Sequence, residues 1–327
     1  MQEQQDINQD SNMSSDLFKF KFSRSVSIAD SSPEAKSQES ALTMTEETFG
    51  KLRDVIYNKC GIYFSDSKKY LLEGRIAKRL QARDLLTFEE YVAYIQQPYN
   101  REELNQLFEA ITINETYFFR AEQQFEAFEK IIVPEILENR RGIARPVFRI
   151  WSAASSSGEE AYTLSIIILE KLKPMFPGVS FQIIASDINN AVIEAAKRGI
   201  YKEYAIRNVP APYLKKYFVQ TGGSYHLKNE VKQLVKFINI NLYDPLAMKS
   251  ISGCDVIFCC NVLIYFDIPS KQQVVSYLYD ALNPGGYLLI GYSESLHGIS
   301  KAFKLIHLPK AMAYKKGKNN GIKKNAM

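Results

Sequence analysis

The sequence predicts an α/β protein in which a helical N-terminal region precedes a mostly parallel sheet covered by helices. Three observations carry that prediction. Apolar residues recur at helical spacing up to about residue 110. After Arg145 the pattern changes to short β-branched runs, "VFRIWSAA", "SFQIIASDI", "VKFININ", "CDVIFCCN" and "YLLIGYS", with helical segments between most of them. The last two runs, "FKLIHLP" and "AMAYKK", follow each other without a helix, as an antiparallel hairpin closing the sheet edge would.

A chain of 327 residues, 46% hydrophobic, buries a full core and has room for two domains. Its longest apolar runs, such as Ile166 to Leu169 and Cys254 to Cys260, fall far short of the ~20 residues that span a bilayer. The start "MQEQQDINQD" lacks a basic and then apolar leader, so the expectation is a cytoplasmic protein without membrane insertion. Cys60, Cys254, Cys259 and Cys260 show no C-x-x-C spacing and read as buried reduced thiols. His226, His297 and His307 are scattered, so neither a metal site nor a histidine-based triad is expected. Much of the net charge of +5 is local, because "KKGKNNGIKKN" near the C-terminus holds five lysines and no acid.

Residues 1–42, rich in Ser, Gln, Asp and Glu, read as a disordered extension broken only by the "LFKFKF" patch at Leu17 to Phe22. Residues 43–110 form the helical domain. It opens with Phe49, Leu52, Val55 and Ile56 at helical spacing behind a cap at Thr45 and Thr48. Within it, "KKYLLEGRIAKRLQAR" sets six basic residues against the single acid Glu73. At 100° per residue, Leu72, Ile76 and Leu80 make one stripe, and Lys68, Arg75, Lys78 and Arg79 make its neighbour. That second stripe is either a solvated face or a surface for an acidic partner. Residues 111–146 read as a linker and helical arm, 147–316 as the α/β domain and 317–327 as a basic tail. A long insertion at about Tyr201 to Lys232 carries "TGG" in a hairpin setting and suggests a small β-subdomain at about 213–234.

In an open α/β sheet the ligand lies beyond the carboxyl ends of the strands. The first strand runs into "AASSSGEEAY", a turn of small residues followed by Glu159 and Glu160. Carboxylates at that helix start repel a pyrophosphate, so the ligand there is neutral or cationic. The second strand ends in Asp187, placed to accept both hydroxyls of a ribose. The third and fourth end in Asn241 with Asp244 and in Asn261, where amide and backbone groups can read an adenine edge while Leu242 packs on its face. A ligand with adenine, ribose, no phosphate and a cationic part describes S-adenosyl-L-methionine. Methyl transfer to a carboxylate also needs no histidine, since a glutamate of pKa about 4.3 is ionised near neutrality.

The stretches "TINETYFFR", "RIWSAASSSGEEAYTLSI", "IIASDINNAVIEAAKRGIY", "CDVIFCCNVLIYFD" and "LNPGGYLLIGYSESL" closely resemble the chemotaxis receptor glutamate methyltransferases, the CheR family, over about residues 43 to 316. The resemblance implies a Rossmann-like class I methyltransferase fold with a mixed seven-stranded sheet and a small inserted β-subdomain, preceded by a small all-α domain. It places Asn114, Thr116 and Arg120 around the methionine portion of the cofactor, with product S-adenosyl-L-homocysteine. It places Glu160, together with Glu159, at the amino group, and Asp187 at the ribose. Asn241, Leu242, Cys260 and Asn261 would line the adenine and reactive end, with Tyr265 beside the methyl-transfer locus. It leaves open whether Arg120 serves the donor's carboxylate or the substrate's. It makes acidic chemoreceptor helices the partner of Lys68, Arg75, Lys78 and Arg79.

Three departures from the family pattern stand out. Cys259-Cys260-Asn261 replaces the usual "C-R-N", "GEEAYT" replaces "GEEPYS", and the β-subdomain is shorter than in members that dock a receptor's C-terminal pentapeptide, which argues against such tethering. Alternatives of other classes are a noncatalytic cofactor-binding regulatory module and, suggested only by basic charge, an RNA methyltransferase with salt-dependent nucleic-acid binding.

Overall fold

A computed structural model describes residues 43–318. The expected disordered extension, its Leu17 to Phe22 patch and most of the basic tail lie outside the described residues.

The helical domain is built from α1 (Glu46–Cys60), α2 (Lys69–Ala82), α3 (Phe88–Ile95) and α4 (Arg101–Ile111). Thr45 caps α1 by accepting from the Thr48 amide at 3.1 Å, and α3 starts with a full capping box between Thr87 and Glu90. Phe49, Leu52 and Ile56 from α1 and Leu72, Ile76 and Leu80 from α2 are buried in one apolar cluster, as their spacing predicts. Gly61 ends α1 at φ 73°, and a Cβ there would lie 2.5 Å from the Tyr243 ring. Only glycine allows both the left-handed turn and that approach.

Residues 112–121 then cross to the second part of the molecule, entering a helix formed by α5 (Glu122–Ala127), a π turn at Phe128–Ile132 and α6 (Val133–Glu138). Phe118, Phe119, Phe125 and Phe128 from this arm sit in the core of the sheet's first face.

The main strands are β1 (Val147–Ala153), β2 (Ser180–Asp187), β6 (Val235–Asn239), β7 (Cys254–Cys259), β8 (Leu282–Ile290), β9 (Phe303–Leu308) and β10 (Ala311–Lys316). Their order is β6-β2-β1-β7-β8-β10-β9; all pairs are parallel except those of β10, which is antiparallel to β8 and β9. This is the expected seven-stranded sheet with its terminal hairpin. Along β1, Phe148 and Ile150 face one core while Trp151 and Ala153 face the other, the alternation of a strand covered on both sides. α7 (Glu159–Ile167) follows β1, α8 (Asn190–Arg198) follows β2, and α9 (Ile268–Ala281) joins β7 to β8. Strand order reverses between β1 and β7, so the crevice for a ligand opens at their carboxyl ends.

The insertion forms its own antiparallel sheet from β3 (Ile200–Tyr201), β4 (Phe218–Thr221) and β5 (Ser224–Leu227), in the order β3-β5-β4. Gly222 and Gly223 turn the hairpin at φ 55° and 71°. The subdomain thus begins before the expected residue 213, because β3, two residues long, carries no readable periodicity.

Candidate active site

Left-handed backbone collects around the crevice. After β1, Ala154 (φ 57°), Ser156 (φ 50°) and Gly158 (φ 91°) alternate with ordinary residues, and Phe119, Ala121 and Asn261 also have positive φ. Each such non-glycine residue costs about 1 kcal/mol or more. A run of them at strand tips marks a loop shaped for a ligand rather than for stability.

The two carboxylates that follow β1 part company. Glu160 accepts from Ser152 Oγ at 2.7 Å; burial pushes its pKa up to about 7, against the hydrogen bonds of Ser152 and Cys260 and the charge of Arg120. It therefore lies on the crevice side, among Ser152, Cys260 and Arg120. Glu159 is buried on its own side of the turn. Its partner is Ser157 Oγ at 2.8 Å, its charge is felt by Tyr162 and Tyr201, and burial again raises its pKa to about 7. The geometry thus separates Glu159 from the pairing with Glu160 that the sequence suggests, because successive residues on a helix point about 100° apart.

Asp187, at the end of β2, is buried and accepts from the Ser156 amide and the Asn189 amide, both at 2.9 Å. It ties the loop after β1 to the loop after β2, with the Ile188 amide also acting on it, and a carboxylate of four lone-pair sites retains capacity for a ligand hydroxyl. The 112–120 segment is fastened to the same loops. Ser156 Oγ donates to the Asn114 carbonyl at 3.1 Å, Asn189 Nδ2 donates to Thr112 Oγ1 at 2.9 Å, and the Phe119 amide donates to Thr163 Oγ1 at 3.0 Å. Asn114, Thr116 and Arg120 are thereby brought to the mouth of the crevice, each partly exposed.

Arg120 donates to the Glu115 carbonyl at 3.0 Å, and its charge acts on both Glu160 and Tyr265. Burial raises the pKa of Tyr265, and Arg120 and then Arg75 pull it back. The tyrosine therefore feels the charge of two guanidinium groups from different domains.

The loop after β7 is organised by a residue that the sequence pattern does not single out. Glu294, buried in "YSESL" after β8, accepts from the Gly291 amide at 2.6 Å, the Asn261 amide at 2.9 Å and the Ile264 amide at 3.2 Å. It holds left-handed Asn261 and the short turn Leu263–Tyr265 that presents Tyr265. A Cβ on Gly291 would meet Asn261 Nδ2 at 2.7 Å and Glu294 Oε2 at 2.8 Å. Gln124, which the pattern does not single out either, donates to the Ile290 carbonyl at 2.6 Å and receives the Cys260 thiol at 3.6 Å. Burial and the neighbouring Glu160 keep that thiol well above the usual range, so a neutral group stands where an arginine is usual in the resembling family.

Asn241 and Leu242 follow β6. Leu242 is buried in the second-face core, while the Asn241 side chain is engaged. Its Nδ2 donates to the Lys59 carbonyl at 2.6 Å and its Oδ1 accepts from the Tyr243 amide at 3.0 Å. This leaves its backbone, rather than its amide group, to meet an adenine. The contact belongs to a junction with the end of α1. There Ile62 bridges Phe266, the Tyr63 amide donates to the Tyr265 carbonyl at 3.0 Å, and Tyr57 donates to the Asp267 carboxylate.

The cationic stripe on α2 is divided as well. Lys68 and Lys78 are exposed. Arg75 is half-buried and donates to the Ile111 carbonyl beside the crossing segment. Arg79 makes a two-pronged pair with the carboxylate of buried Glu103, at 2.8 Å for each contact, while Arg83 and the Tyr91 hydroxyl hold the same carboxylate. Arg79 is therefore committed to the helical core and departs from the expected open row.

The donor set fits S-adenosyl-L-methionine. It offers carboxylates after two strands, a loop with close backbone approach, and a buried Ser155 hydroxyl with no hydrogen-bond partner among the described residues. Sheet order, terminal hairpin and crevice together define a class I, S-adenosyl-L-methionine-dependent methyltransferase. Residues 114–312 match the SAM-binding domain of the CheR methyltransferases and residues 47–112 match their all-alpha domain. The chain belongs to the CheR methyltransferase family. It is 37% identical over 276 residues to chemotaxis protein methyltransferase 2 of Vibrio cholerae serotype O1, covering 84% of this chain and 94% of that one. The chemotaxis protein methyltransferases of Vibrio anguillarum (35% over 280 residues, 84% and 98% covered) and Borreliella burgdorferi (34% over 262 residues, 79% and 91% covered) are also similar. Among the described residues no helix is long and apolar enough to cross a membrane.

Proposed function

We propose that this enzyme methylates glutamate side chains on the cytoplasmic helices of chemoreceptors, giving glutamate methyl esters. The observation that carries this reading is the meeting at one crevice of the buried carboxylates Glu160 and Asp187 with Tyr265, which feels the charges of both Arg120 and Arg75. The donor supplies a methyl group on a positively charged sulfur, and transfer to a carboxylate oxygen leaves the neutral thioether S-adenosyl-L-homocysteine.

The chain's own residues supply position and charge. Ionised Glu160 meets the donor's ammonium, Asp187 accepts from the ribose hydroxyls, and the Asn241 backbone, Leu242, Cys260 and Asn261 border the adenine and the reactive end. Arg120, beside Glu160, meets the donor's own carboxylate. Arg75, whose charge also reaches Tyr265, orients the incoming glutamate. No general base is needed, because the glutamate is already an anion; alignment of oxygen, methyl and sulfur with water excluded provides the acceleration. Lys68 and Lys78 steer the acidic helix towards this site.

Incubation with radiolabelled S-adenosyl-L-methionine and a receptor signalling domain tests the assignment. Base-labile methyl ester on glutamate is the expected product. Tight cofactor binding with no ester would instead make the chain a regulatory module, and salt-sensitive label on RNA would make it a nucleic-acid enzyme.

A further inference from the structure

The inserted subdomain carries a cation that the site described above does not use. Arg207 is exposed, and its guanidinium carbon lies 3.5 Å from the Tyr117 ring centre and 3.7 Å from that of Tyr204, so the group is held in the corner between two rings whose planes stand 75° apart. The short helix Glu203–Ile206 that precedes it is fixed to the crossing segment. The Phe118 amide donates to the Ala205 carbonyl at 2.9 Å, and the Tyr204 hydroxyl donates to the exposed Glu115 carboxylate at 2.6 Å. Arg207 itself donates one Nη1 bond to the Tyr204 carbonyl, which leaves other in-plane N–H groups for a ligand.

Tyr117 also receives Arg120, 5.6 Å from its ring centre. The two guanidinium groups therefore share one ring and are separated by no more than the sum of their distances to it, and Arg120, whose charge also acts on Tyr265, marks the reactive end although it serves the donor's carboxylate. Glu115, the acid at this rim, already accepts from Tyr204. A flat arginine immobilised between rings loses little freedom on binding, and its fork suits a carboxylate. Along an α-helix, residues four apart rise by about 6 Å, inside that limit, and residues seven apart rise by about 10.5 Å, just beyond it and bridged by a glutamate side chain leaning back along the helix.

We infer that Arg207 reads a second carboxylate on the substrate helix, one or two turns from the glutamate that is methylated. This rests on the proposed chemoreceptor substrate and sharpens it: the subdomain contributes the far edge of the substrate-binding face, with Arg75 and the lysines of α2 on the near edge. The tyrosine clamp holds Arg207 ready, and the requirement for a neighbouring acid selects among glutamates on the same helix.

The test pairs Arg207→Glu with receptor signalling domains in which an acid four or seven residues from the mapped methylation site is changed to lysine. Arg207→Glu is expected to raise KM for the receptor by about tenfold, with the Kd for S-adenosyl-L-methionine within about twofold of wild type. One of the two lysine variants is expected to recover most of that loss with Arg207→Glu while being a poor substrate for the wild type. A KM change under twofold, or no recovery at either position, overturns the inference while leaving receptor methylation intact. Loss of cofactor affinity and melting temperature in both Arg207→Glu and Arg207→Gln, with no separate effect on KM, would assign the clamp a structural role and also overturn it. If the wild type forms no ester on any signalling domain, the substrate reading itself fails and takes this inference with it.

Discussion

The strand-tip crevice and the face of α2 are both dense in charge, yet they hold it in opposite ways. In the crevice, Glu160 and Asp187 are sunk among serine hydroxyls and backbone amides and retain acceptor capacity towards the opening. Around α2, Arg79 and Arg83 close onto Glu103 inside their own domain, Arg83 staying exposed as it does so, while Lys68 and Lys78 are exposed and Arg75 is half-turned to the junction. A charge in a sequence is a candidate ligand only once its internal partners are known. The crevice has anionic groups in excess of its partners; α2 has part of its cationic charge already neutralised.

The largest effect that tests this contrast is expected at Asp187. Asp187→Ala removes the ribose acceptor and also frees the Ser156 and Asn189 amides, so the loop after β1 loses its anchor to the loop after β2. Loss of charge-assisted hydrogen bonds at about 1.5–3 kcal/mol each predicts weakening of cofactor binding by about 100-fold or more. Calorimetric affinity within a few-fold of wild type would remove Asp187 from the binding site.

On the other side of the comparison, Glu103→Ala strands the partly buried Arg79 and leaves the Tyr91 hydroxyl unpaired. Breaking such a pair from one side predicts a loss of about 3 kcal/mol in stability, read by chemical denaturation, with cofactor affinity retained in the folded fraction. An unchanged denaturation midpoint would return Arg79 to the open cationic row.

Glu294→Gln keeps the size of the side chain, but its amide nitrogen cannot accept from a backbone amide. One of the bonds to Asn261, Gly291 or Ile264 must break, and Tyr265 loses its fixed approach. A fall in kcat of about tenfold with a smaller change in cofactor Kd is expected. Equal losses in both would show that Glu294 serves only the adenine end.

How much of this was open to reading follows from sequence distance. Asp187 and Glu160 were legible because strand tips are recognisable from local pattern and an acid among small residues is conspicuous. The engagement of Asn241 depends on Lys59, 182 residues away, and that of Tyr57 on Asp267, 210 residues away. No periodicity within a helix or strand reports such contacts. Arg79 and Glu103 lie only 24 residues apart, but on different helices whose packing angle the sequence does not encode locally. Glu294 looked like an ordinary polar residue after a strand; its signal is that it follows a glycine whose missing side chain makes room for its own carboxylate.

The smallest expected effect separates two adjacent residues. Glu160, with its pKa pushed up to about 7 by burial, must be ionised to hold the donor's ammonium. Between about pH 7.5 and pH 6 its ionised fraction falls by close to tenfold, so cofactor affinity falls by a similar factor as the pH is lowered. Glu160→Gln should weaken binding at pH 7.5 and flatten this limb of the profile. Glu159 has the same raised pKa from the same cause but faces Ser157, Tyr162 and Tyr201 instead. Near pH 7 it is already about half protonated, and a glutamine resembles its neutral form, so Glu159→Gln should leave both affinity and the pH profile within about twofold of wild type. If Glu159→Gln removes the pH dependence and Glu160→Gln does not, the two carboxylates have exchanged roles and the ammonium pocket lies on the other side of the turn.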